Sequence, residues 1–421
     1  MPENRSANPT AVIVGGGPAG LIAAELLAGE GHTVTVYEHK PSVGRKLLLA
    51  GRGGLNLTHS EPLDAMIRRY DTPDWIAPML AEFGPDDLRA WAASLGEETF
   101  VGSSGRVFPE AFRATPLLRS WLRRLDDLGV GLATRHRWLG WDDDGAHRFV
   151  NANGAEITVP GDVTVLALGG ASWPRVGSDG GWVPVLEATG VDVTALRPAN
   201  AGVAVRWSGV FAERFGGHPL KNVALTAGTS TVRGDAIVTA TGLEGGPVYG
   251  VGRDVQSELE SDGGCVITVD LHPDQTVPRL AERLARRRPK DSVTTWLRRA
   301  LGLDTVAVNL LREAVGVRLP DSADEMAALV KRVPVQVVGM MPLDRAISTA
   351  GGVSRAELDG GLMLHRRPGT FVAGEMIDWE APTGGYLLQA SFTTGVVAAR
   401  AAARWSRGER NGSRSLTADD R

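Results

Sequence analysis

Cysteine is almost absent from this sequence, because Cys265 is the single cysteine among 421 residues. One thiol excludes an intramolecular disulfide and leaves no set of thiolates for a metal site. The eight histidines are scattered without metal-ligand spacing, so no metal is predicted. A Gly-x-Ser-x-Gly elbow and a P-loop are also missing from the sequence, which excludes two common catalytic frameworks.

An excess of one charge and a long apolar run are both missing as well. Lys and Arg number 45 against 49 Asp and Glu, and the formal net charge is −4. This balance gives no electrostatic case for a nucleic-acid or membrane partner. The first ten residues are polar and unlike a signal peptide, and Gly-Gly-Gly-Pro interrupts the apolar stretch that follows. We therefore expect a soluble, cytoplasmic protein that acts on a small molecule, while its oligomeric state stays open.

Glycine, by contrast, is abundant: there are 53 glycines, nearly twice the usual share of about 7%. Short glycine runs between apolar segments are typical of tight turns and of close backbone approaches to a ligand. The segment GRKLLLAGRGGLNLTHSE, residues 44–61, combines its glycines with the cations Arg45, Lys46 and Arg52. We expect a loop here that requires an anionic ligand to hold one conformation.

Residues 10–38 form one predicted βαβ unit. The β-branched run TAVIVGGG precedes the helical pattern PAGLIAAELLAGEG, and a second β-branched run, HTVTVYE, follows. At the turn from strand to helix, Gly15 permits a tight turn, Gly17 lets the backbone approach a pyrophosphate, and Gly20 lets the helix pack on the strand. The predicted phosphate-binding turn also contains Pro18 and Ala19.

Glu38 ends the second predicted strand, and His39 follows it. A carboxylate at this position accepts hydrogen bonds from ribose hydroxyls and repels a 2′-phosphate, so the predicted nucleotide is FAD or NAD. A loop that leaves this strand passes back across the nucleotide, where Arg45 or Lys46 can meet the pyrophosphate or the flavin edge. The predicted cofactor residues on this loop are Arg45, Lys46, Gly53, Asn56 and Thr58.

Further along the chain, two kinds of region are predicted. The segments LATRHRWLGW, AHRFVNA and EITVPGDVTVLALGG are separated by turn signals and predict a β-meander on a parallel sheet. Short strands between residues 185 and 345 predict a separate β-rich domain with a helical insert at about 277–332. The first domain is then expected to comprise residues 10–184 and 346–405, with flexible termini at 1–9 and 406–421.

The helical insert carries a basic cluster of Arg286, Arg287, Arg288 and Lys290. Such a run is typical of the solvated face of a helix, and it can also bind a phosphate or an acidic partner. The solvated face is the simpler interpretation.

Two later motifs fit a nucleotide site. The predicted buried strand VTVLALGGAS runs into Gly169 and Gly170, where the chain can pass close to the nucleotide. In TFVAGEMIDWEAPTGGYLLQASFTTG a strand and a loop lead to a helix whose N-terminus, aimed at flavin O2 and N1, would stabilise the anionic reduced flavin. Asp378 either meets the ribityl chain or caps a turn. The predicted cofactor residues of these motifs are Ala167, Gly169, Gly170, Gly374, Glu375, Asp378, Gly384, Gly385, Tyr386 and Leu387.

Four segments together resemble the HI0933-like flavoproteins, a group that includes BaiN-type reductases: VIVGGGPAGLIAAELL, GRKLLLAGRGGLNLT, ALGGASWPRVGSDG and AGEMIDWEAPTGGYLLQASFTTG. The resemblance extends over most of residues 10–402. It implies an α/β protein in which FAD binds a Rossmann-like, two-dinucleotide-binding-type domain, a parallel sheet with a β-meander. It further implies an inserted β-rich domain with a helical insert. Many relatives have a cysteine where this chain has Leu55, so no thiol role carries over.

The predicted function is that of an FAD-dependent oxidoreductase. The resemblance implies hydride transfer through flavin N5 to an unsaturated small molecule, with NADH or NADPH as a transient donor. Lys46, Tyr386 and Arg106 are the candidate catalytic residues, because each can position or protonate a substrate, although packing or an ion pair also explains each of them. A flavin oxidase or monooxygenase and a non-catalytic flavin-binding redox sensor are the alternative functions.

Overall fold

The computed structural model describes residues 8–316 and 318–409. The chain divides into two compact units: Met1–Arg197 with Ala350–Arg421 form the first unit, and Pro198–Thr349 form the second. The sequence had placed the boundaries at 184/185 and 345/346. Most of the predicted flexible termini lies outside the described residues, but Ser406 still belongs to the last helix.

The elements of the first half of the chain begin with alternating strands and helices, which later give way to runs of helices and of strands. They are β1 (Thr10–Val14), α1 (Pro18–Gly29), β2 (Thr33–Glu38), α2 (Arg45–Ala50), β3 (Thr58–His59), α3 (Leu63–Ile67), α4 (Pro73–Glu82), α5 (Pro85–Ser94), β4 (Thr99–Val101), β5 (Arg106–Pro109), α6 (Ala114–Asp127), β6 (Gly131–Thr134), β7 (Arg137–Trp141), β8 (His147–Val150), β9 (Glu156–Val159), β10 (Val163–Leu166), α7 (Val183–Glu187) and β11 (Val193–Ala199).

The remaining elements begin with the second unit and return to the first. They are β12 (Val203–Val205), α8 (Gly209–Phe215), β13 (Pro219–Ala227), β14 (Ser230–Thr239), β15 (Gly242–Glu244), α9 (Gly246–Gly250), α10 (Gly252–Asp262), β16 (Cys265–Asp270), α11 (Val277–Leu284), α12 (Val293–Leu301), α13 (Thr305–Val315), α14 (Ala323–Lys331), β17 (Val333–Met340), β18 (Ser348–Val353), β19 (Thr370–Val372) and α15 (Tyr386–Ser406).

The first unit is built on a parallel sheet with the strand order β19-β10-β1-β2-β6. The predicted βαβ unit is confirmed, because β1 and β2 pair in parallel and α1 connects them. α15 packs closely on α1: a Cβ on Gly395 would lie 2.5 Å from the carbonyl oxygen of Ala19. The sheet and these two helices form the core that presents the carboxyl ends of β1, β2 and β10 on one edge.

The predicted three-stranded meander was wrong in its strand boundaries. The first segment divides into β6 and β7 at Arg135, whose φ of 60° breaks the strand, and the last divides into β9 and β10 at Pro160-Gly161. β6 and β10 join the parallel sheet, whereas β7, β8 and β9 form the antiparallel meander. Apolar alternation marked the strands, but it did not mark the break inside each run.

In the second unit the strands β12, β15, β14, β13, β16 and β17 close into a barrel in that order. The interior consists of small and medium apolar side chains such as Val203, Leu225, Ile267 and Val335. The predicted helical insert corresponds to α11 through α14, which pack Trp296 and other apolar residues against the same core.

None of the described helices combines the length and the apolar character that a membrane span requires.

Candidate functional site

The glycines of the first turn meet two different requirements. A Cβ on Gly15 would lie 2.2 Å from the carbonyl oxygen of Ala167, and a Cβ on Gly20 would lie 2.0 Å from that of Gly15. The protein itself therefore requires glycine at both positions. Gly17, in contrast, has extended backbone angles, and no described atom outside its chain neighbours lies within 4 Å of where its Cβ would be. Its role fits the close approach of a ligand rather than of the protein.

Helix α1 begins at Pro18, directly after Gly17. Among the described residues, no side chain caps this helix start, and its first turn contains no acidic residue. The free N–H groups and the positive end of the helix dipole are thus available to an anion such as a pyrophosphate.

Glu38 is held firmly at the end of β2. Its Oε2 accepts from the Gly16 amide at 3.0 Å, and its Oε1 accepts from the Lys40 amide at 2.8 Å. His39 places Nδ1 3.2 Å from the same Oε1 and Nε2 3.7 Å from Asp179 Oδ2. Burial lowers the pKa of His39, and this effect outweighs the opposing attraction of the two carboxylates. A neutral imidazole and a fixed carboxylate suit the ribose and base of a nucleotide.

A cavity lies next to Glu38, where β1 and β2 end. Its walls include the side chains of His39, His136, Trp138, Asp179 and Trp182. Flat aromatic rings in the walls of a pocket fit a planar base such as adenine. Except for His39, these residues were missed by the sequence analysis, since they come from the start of β7 and from the segment after β10, which carry no local nucleotide motif.

Lys46 connects three of the predicted cofactor segments. Its Nζ donates to Ser172 Oγ at 2.7 Å and to Glu375 Oε2 at 2.5 Å. The predicted loop 44–61 is wrong in its first part, because Arg45–Ala50 forms α2, as the helix-favouring run Lys-Leu-Leu-Leu-Ala permits. Lys46 does meet an anion, but that anion is a carboxylate of the protein.

Buried polar atoms without a partner are concentrated in the first unit. Among the described residues, six buried side-chain nitrogen or oxygen atoms accept or donate no hydrogen bond within the protein. They are His39 Nε2, Arg45 Nε, Asn56 Oδ1, Thr58 Oγ1, Ser178 Oγ and Gln389 Oε1. Four of them belong to predicted cofactor residues, and a fifth, Ser178 Oγ, lies 3.4 Å from the Cβ position of Gly169. Since each such group costs about 1–3 kcal/mol when left unpaired, these residues fit a polar ligand such as FAD.

The start of α15 provides a second helix terminus of the same kind. Gly384 and Gly385 have φ of 127° and 104°, and a Cβ on Gly385 would lie 2.5 Å from the carbonyl group of Thr58. The helix begins at Tyr386, as predicted, with neither a side-chain cap nor an acidic residue in its first turn among the described residues. Leu387 is half-buried beside it. This end can receive the partial negative charge of a flavin carbonyl.

The remaining predicted cofactor residues have varied surroundings. Gly374 donates its N–H to Thr394 Oγ1 at 2.9 Å, and Asp378 Oδ2 accepts from the hydroxyl of Thr194 at 2.9 Å, which supports the structural alternative for this aspartate. The carbonyl of Gly169 accepts from the indole of Trp182 at 2.8 Å. Gly170 is buried in the same turn, whereas Gly53 is exposed after α2.

Tyr386 and Arg106, two of the candidate catalytic residues, lie close to Gly384 but differ in their bonding. The Tyr386 hydroxyl donates to Glu61 Oε1 at 2.6 Å, and its carbonyl accepts from the hydroxyl of Tyr70 at 2.8 Å. Burial and the Glu61 carboxylate raise the pKa of Tyr386 well above its usual value, so this phenol is a poor proton donor at neutral pH. Arg106 is exposed, and its Nε lies 3.8 Å from the Cβ position of Gly384.

Comparison with known proteins agrees with this geometry. The family model of the HI0933-like protein Rossmann domain matches residues 9–401, so the chain belongs to this family. The predicted family and the predicted α/β fold class are both confirmed. FAD is the cofactor that the family and the site share.

Two curated relatives and one solved structure give the context. A 3-dehydro-bile acid delta(4,6)-reductase from Clostridium scindens is 26% identical over 406 residues, which are 93% of this chain and 98% of the relative. A ribosomal RNA dihydrouridine synthase from Haemophilus influenzae is 24% identical over 413 residues, again 93% and 98% of the two chains. The open conformation of a flavocytochrome c3 fumarate reductase shares the fold with a TM-score of 0.51 at 15% identity, over 96% of this chain and 79% of that one.

Proposed function

We propose that this FAD-dependent oxidoreductase reduces a carbon–carbon double bond that is conjugated to a carbonyl group, with NADH or NADPH as the electron donor. The observation that carries the proposal is the set of unpaired buried polar atoms at the predicted cofactor residues, in a chain of this flavoprotein family. Such atoms are the mark of a site whose polar partners come from a ligand.

Different residues of the first unit bind different parts of the cofactor. The turn at Gly17 and the start of α1 receive the pyrophosphate, and Glu38 receives the ribose. Asn56 and Thr58 offer unpaired oxygens, and the backbone of Thr58 lies beside the start of α15. FAD held by these residues would supply two-electron, hydride-transfer chemistry.

The names of the relatives support the type of acceptor. Reduction of a bile acid at positions 4 and 6 and formation of dihydrouridine both add two hydrogens across a carbon–carbon double bond. In the proposed reaction the nicotinamide is oxidised and provides the hydride, water provides the proton, and the double bond becomes a single bond. Arg106 is the exposed cation beside Gly384 that can hold the carbonyl oxygen on which negative charge develops.

The test is an anaerobic titration of the FAD-loaded protein with NADPH and NADH, followed by addition of an acceptor. We expect loss of the oxidised-flavin absorption band with one nucleotide and its return when a steroid 4-en-3-one or a dienone is added. A band that neither nucleotide bleaches contradicts the donor. Return of the band only when oxygen is admitted together with the steroid, with a hydroxylated steroid and water as the products, would establish a monooxygenase instead.

The second relative makes a uracil ring an alternative acceptor for the same chemistry. Uridine and a uridine-containing RNA oligonucleotide therefore belong in the acceptor panel. Reoxidation by either of them, and not by the steroid, would transfer the proposal to a nucleic-acid substrate.

A further inference from the structure

An exposed row of aromatic rings lies on the small antiparallel sheet β3-β5-β4 of the first unit. Phe100 pairs with Phe108 across β4 and β5, and their ring centroids are 5.8 Å apart. Phe112 adds a third ring at 5.0 Å from Phe108. Phe100 and Phe112 are 39% and 44% exposed, which is unusual for large apolar side chains that form one cluster.

The same face continues to the start of α15. Arg106 lies two residues before Phe108 on β5, so the two side chains share one face of the sheet. Arg106 pairs in register with His59 on β3, and the ring of His59 stacks on Tyr386 with centroids 5.4 Å apart and planes 18° apart. His59, Phe100, Arg106, Phe108, Phe112 and Tyr386 together are called the aromatic face below.

At one end of the aromatic face, Phe112 has a strained backbone conformation and contacts Gly54. Phe112 has a φ of 59°, a left-handed conformation that bulky side chains rarely adopt. A Cβ on Gly54 would lie 2.5 Å from its ring, so the ring fits directly on that glycine. Strain of this kind persists where the surroundings impose it, and it is concentrated at functional sites. The face thus borders Gly54 at one end and Gly384 at the other.

Arg106 gives the aromatic face its chemical specificity. Its guanidinium has no hydrogen-bond or ion-pair partner within residues 8–316 and 318–409, although His59 lies beside it on β3 and Phe108 lies two residues further along β5. A free guanidinium among aromatic rings binds a flat molecule that carries a carbonyl or carboxylate oxygen.

We propose that the aromatic face is the substrate-binding surface of the first unit and that it binds a small, flat, ring-containing enone. The ring packs on Phe100 and Phe108, and the carbonyl oxygen accepts from Arg106. This inference rests on the proposed function and names the surface that binds its substrate. A polynucleotide is disfavoured, since the exposed carboxylates of Glu98 and Glu110 lie at the ends of β4 and β5 and would repel phosphates.

The test measures binding without turnover. 4-Androstene-3,17-dione is titrated into FAD-loaded protein, and its dissociation constant is read from the perturbation of the flavin absorption band. We expect Arg106→Gln to weaken binding about tenfold, through loss of a charged hydrogen bond, and Phe100→Ala about fivefold, through loss of ring packing. FAD content is expected to stay unchanged in both variants.

Val101→Ala is the matched control. Val101 is the next residue on β4 and 46% exposed, but it points to the opposite face of the strand from Phe100. Its dissociation constant is expected to equal that of the unaltered protein. The inference would be overturned if the dissociation constants of Arg106→Gln and Phe100→Ala equalled that of the unaltered protein. It would also be overturned if the steroid caused no spectral change in the unaltered protein.

Two further outcomes separate this inference from the proposed function. Tight binding that depends on Arg106, in a protein whose flavin neither nucleotide reduces, would preserve the aromatic face and reject the reductase. Retention of a uridine-rich RNA oligonucleotide that Phe100→Ala weakens, with no binding of the steroid, would reject the small-molecule substrate.

Discussion

The two units of this protein differ in how they treat buried polar groups. In the second unit, Asn200 Nδ2 donates to Ser348 Oγ at 2.7 Å, and Ser348 Oγ donates to the Ala199 carbonyl at 3.3 Å. No unpaired buried side-chain polar atom is found among the described residues of this unit, whereas the first unit contains six. The described part of the second unit therefore pairs its buried side-chain polar atoms by itself, whereas the first unit leaves six such atoms that fit a polar ligand.

The distribution of unpaired buried polar atoms indicates which of two cores of similar apolar character binds a ligand. Burial alone does not distinguish them, because both cores are lined by valine, leucine and isoleucine. The unpaired polar atoms do distinguish the two cores, because a buried polar group without a partner destabilises the fold unless a ligand pairs with it. Four of the six atoms belong to residues that the sequence had already indicated as cofactor residues, His39 and three residues of the segment 44–61, and the two arguments are independent.

The largest effect is expected for Gly17→Val. The side chain would meet no described atom outside its chain neighbours within 4 Å of its Cβ, so the fold is retained, but the methyl groups would occupy the approach of the pyrophosphate. We expect FAD affinity to fall by about a thousandfold, or about 4 kcal/mol, and the purified protein to be colourless.

Gly29→Val, at the other end of α1, is the matched control for Gly17→Val. Its Cβ also meets no described atom within 4 Å apart from neighbours in its own helix, yet it lies far from the predicted phosphate turn. Normal FAD content is expected for this variant. Normal FAD content in Gly17→Val as well would contradict the assignment of the turn.

The next effect concerns pH and is confined to the first unit. His147 is buried between Trp138, whose indole donates to Nδ1 at 3.2 Å, and Thr164 Oγ1, 2.7 Å from Nε2. Burial, reinforced by Arg367, lowers the pKa of His147 to about 4. The unfolded chain then binds a proton that the folded chain does not, so stability is complete above pH 6.5 and declines as the pH falls towards 4, by about 3 kcal/mol.

His147→Gln checks this pH dependence. The amide can replace both hydrogen bonds but does not titrate, so the free energy of unfolding of the first unit should become less sensitive to pH between 6.5 and 4. Chemical unfolding at several pH values measures it. An unchanged slope in the variant would show that another group is responsible.

The sequence predicted the local parts of the site well and the distant pairs poorly. The strand, the turn and the helix of residues 10–38 lie together in sequence, so glycine spacing and apolar periodicity were sufficient. Lys46 and Glu375 are 329 residues apart, and nothing local indicates that they meet. Arg135 lies inside the segment LATRHRWLGW, which was predicted as one strand, so its left-handed conformation, and with it the boundary between β6 and β7, was not predictable from the pattern.

A smaller effect is expected at the Lys46–Glu375 ion pair. The two side chains are 29% and 16% exposed, so solvent screens part of their attraction, and loss of one partner should cost about 1–2 kcal/mol. Lys46→Met leaves the Glu375 carboxylate without this partner and should weaken FAD retention about tenfold. The double variant Lys46→Met/Glu375→Gln should recover part of the loss; no recovery would mean that Lys46 contacts the cofactor directly.

The smallest effects are expected at the basic cluster of the second unit, which lies between the end of α11 at Leu284 and the start of α12 at Val293 and not on a helix face as predicted. Arg286 is 80% exposed and pairs with Glu282 at 3.5 Å, so Arg286→Ala should change stability by less than about 0.5 kcal/mol. Arg287 lies over the ring of Trp296, 4.5 Å from its centroid, and Arg287→Ala should cost about 1 kcal/mol. Both variants should retain normal FAD content, and cofactor loss in either would remove the distinction between the units.

Amide hydrogen exchange of the protein with and without FAD shows which unit the cofactor stabilises. We expect FAD to slow exchange in the segments around 15–20, 38–58, 167–180 and 374–388, which hold the phosphate turn and most of the unpaired atoms. Exchange in the barrel strands β12 to β17 should stay unchanged. Equal protection of the barrel, or no protection of the first unit at saturating FAD, would contradict the claim that only the first unit is completed by the cofactor.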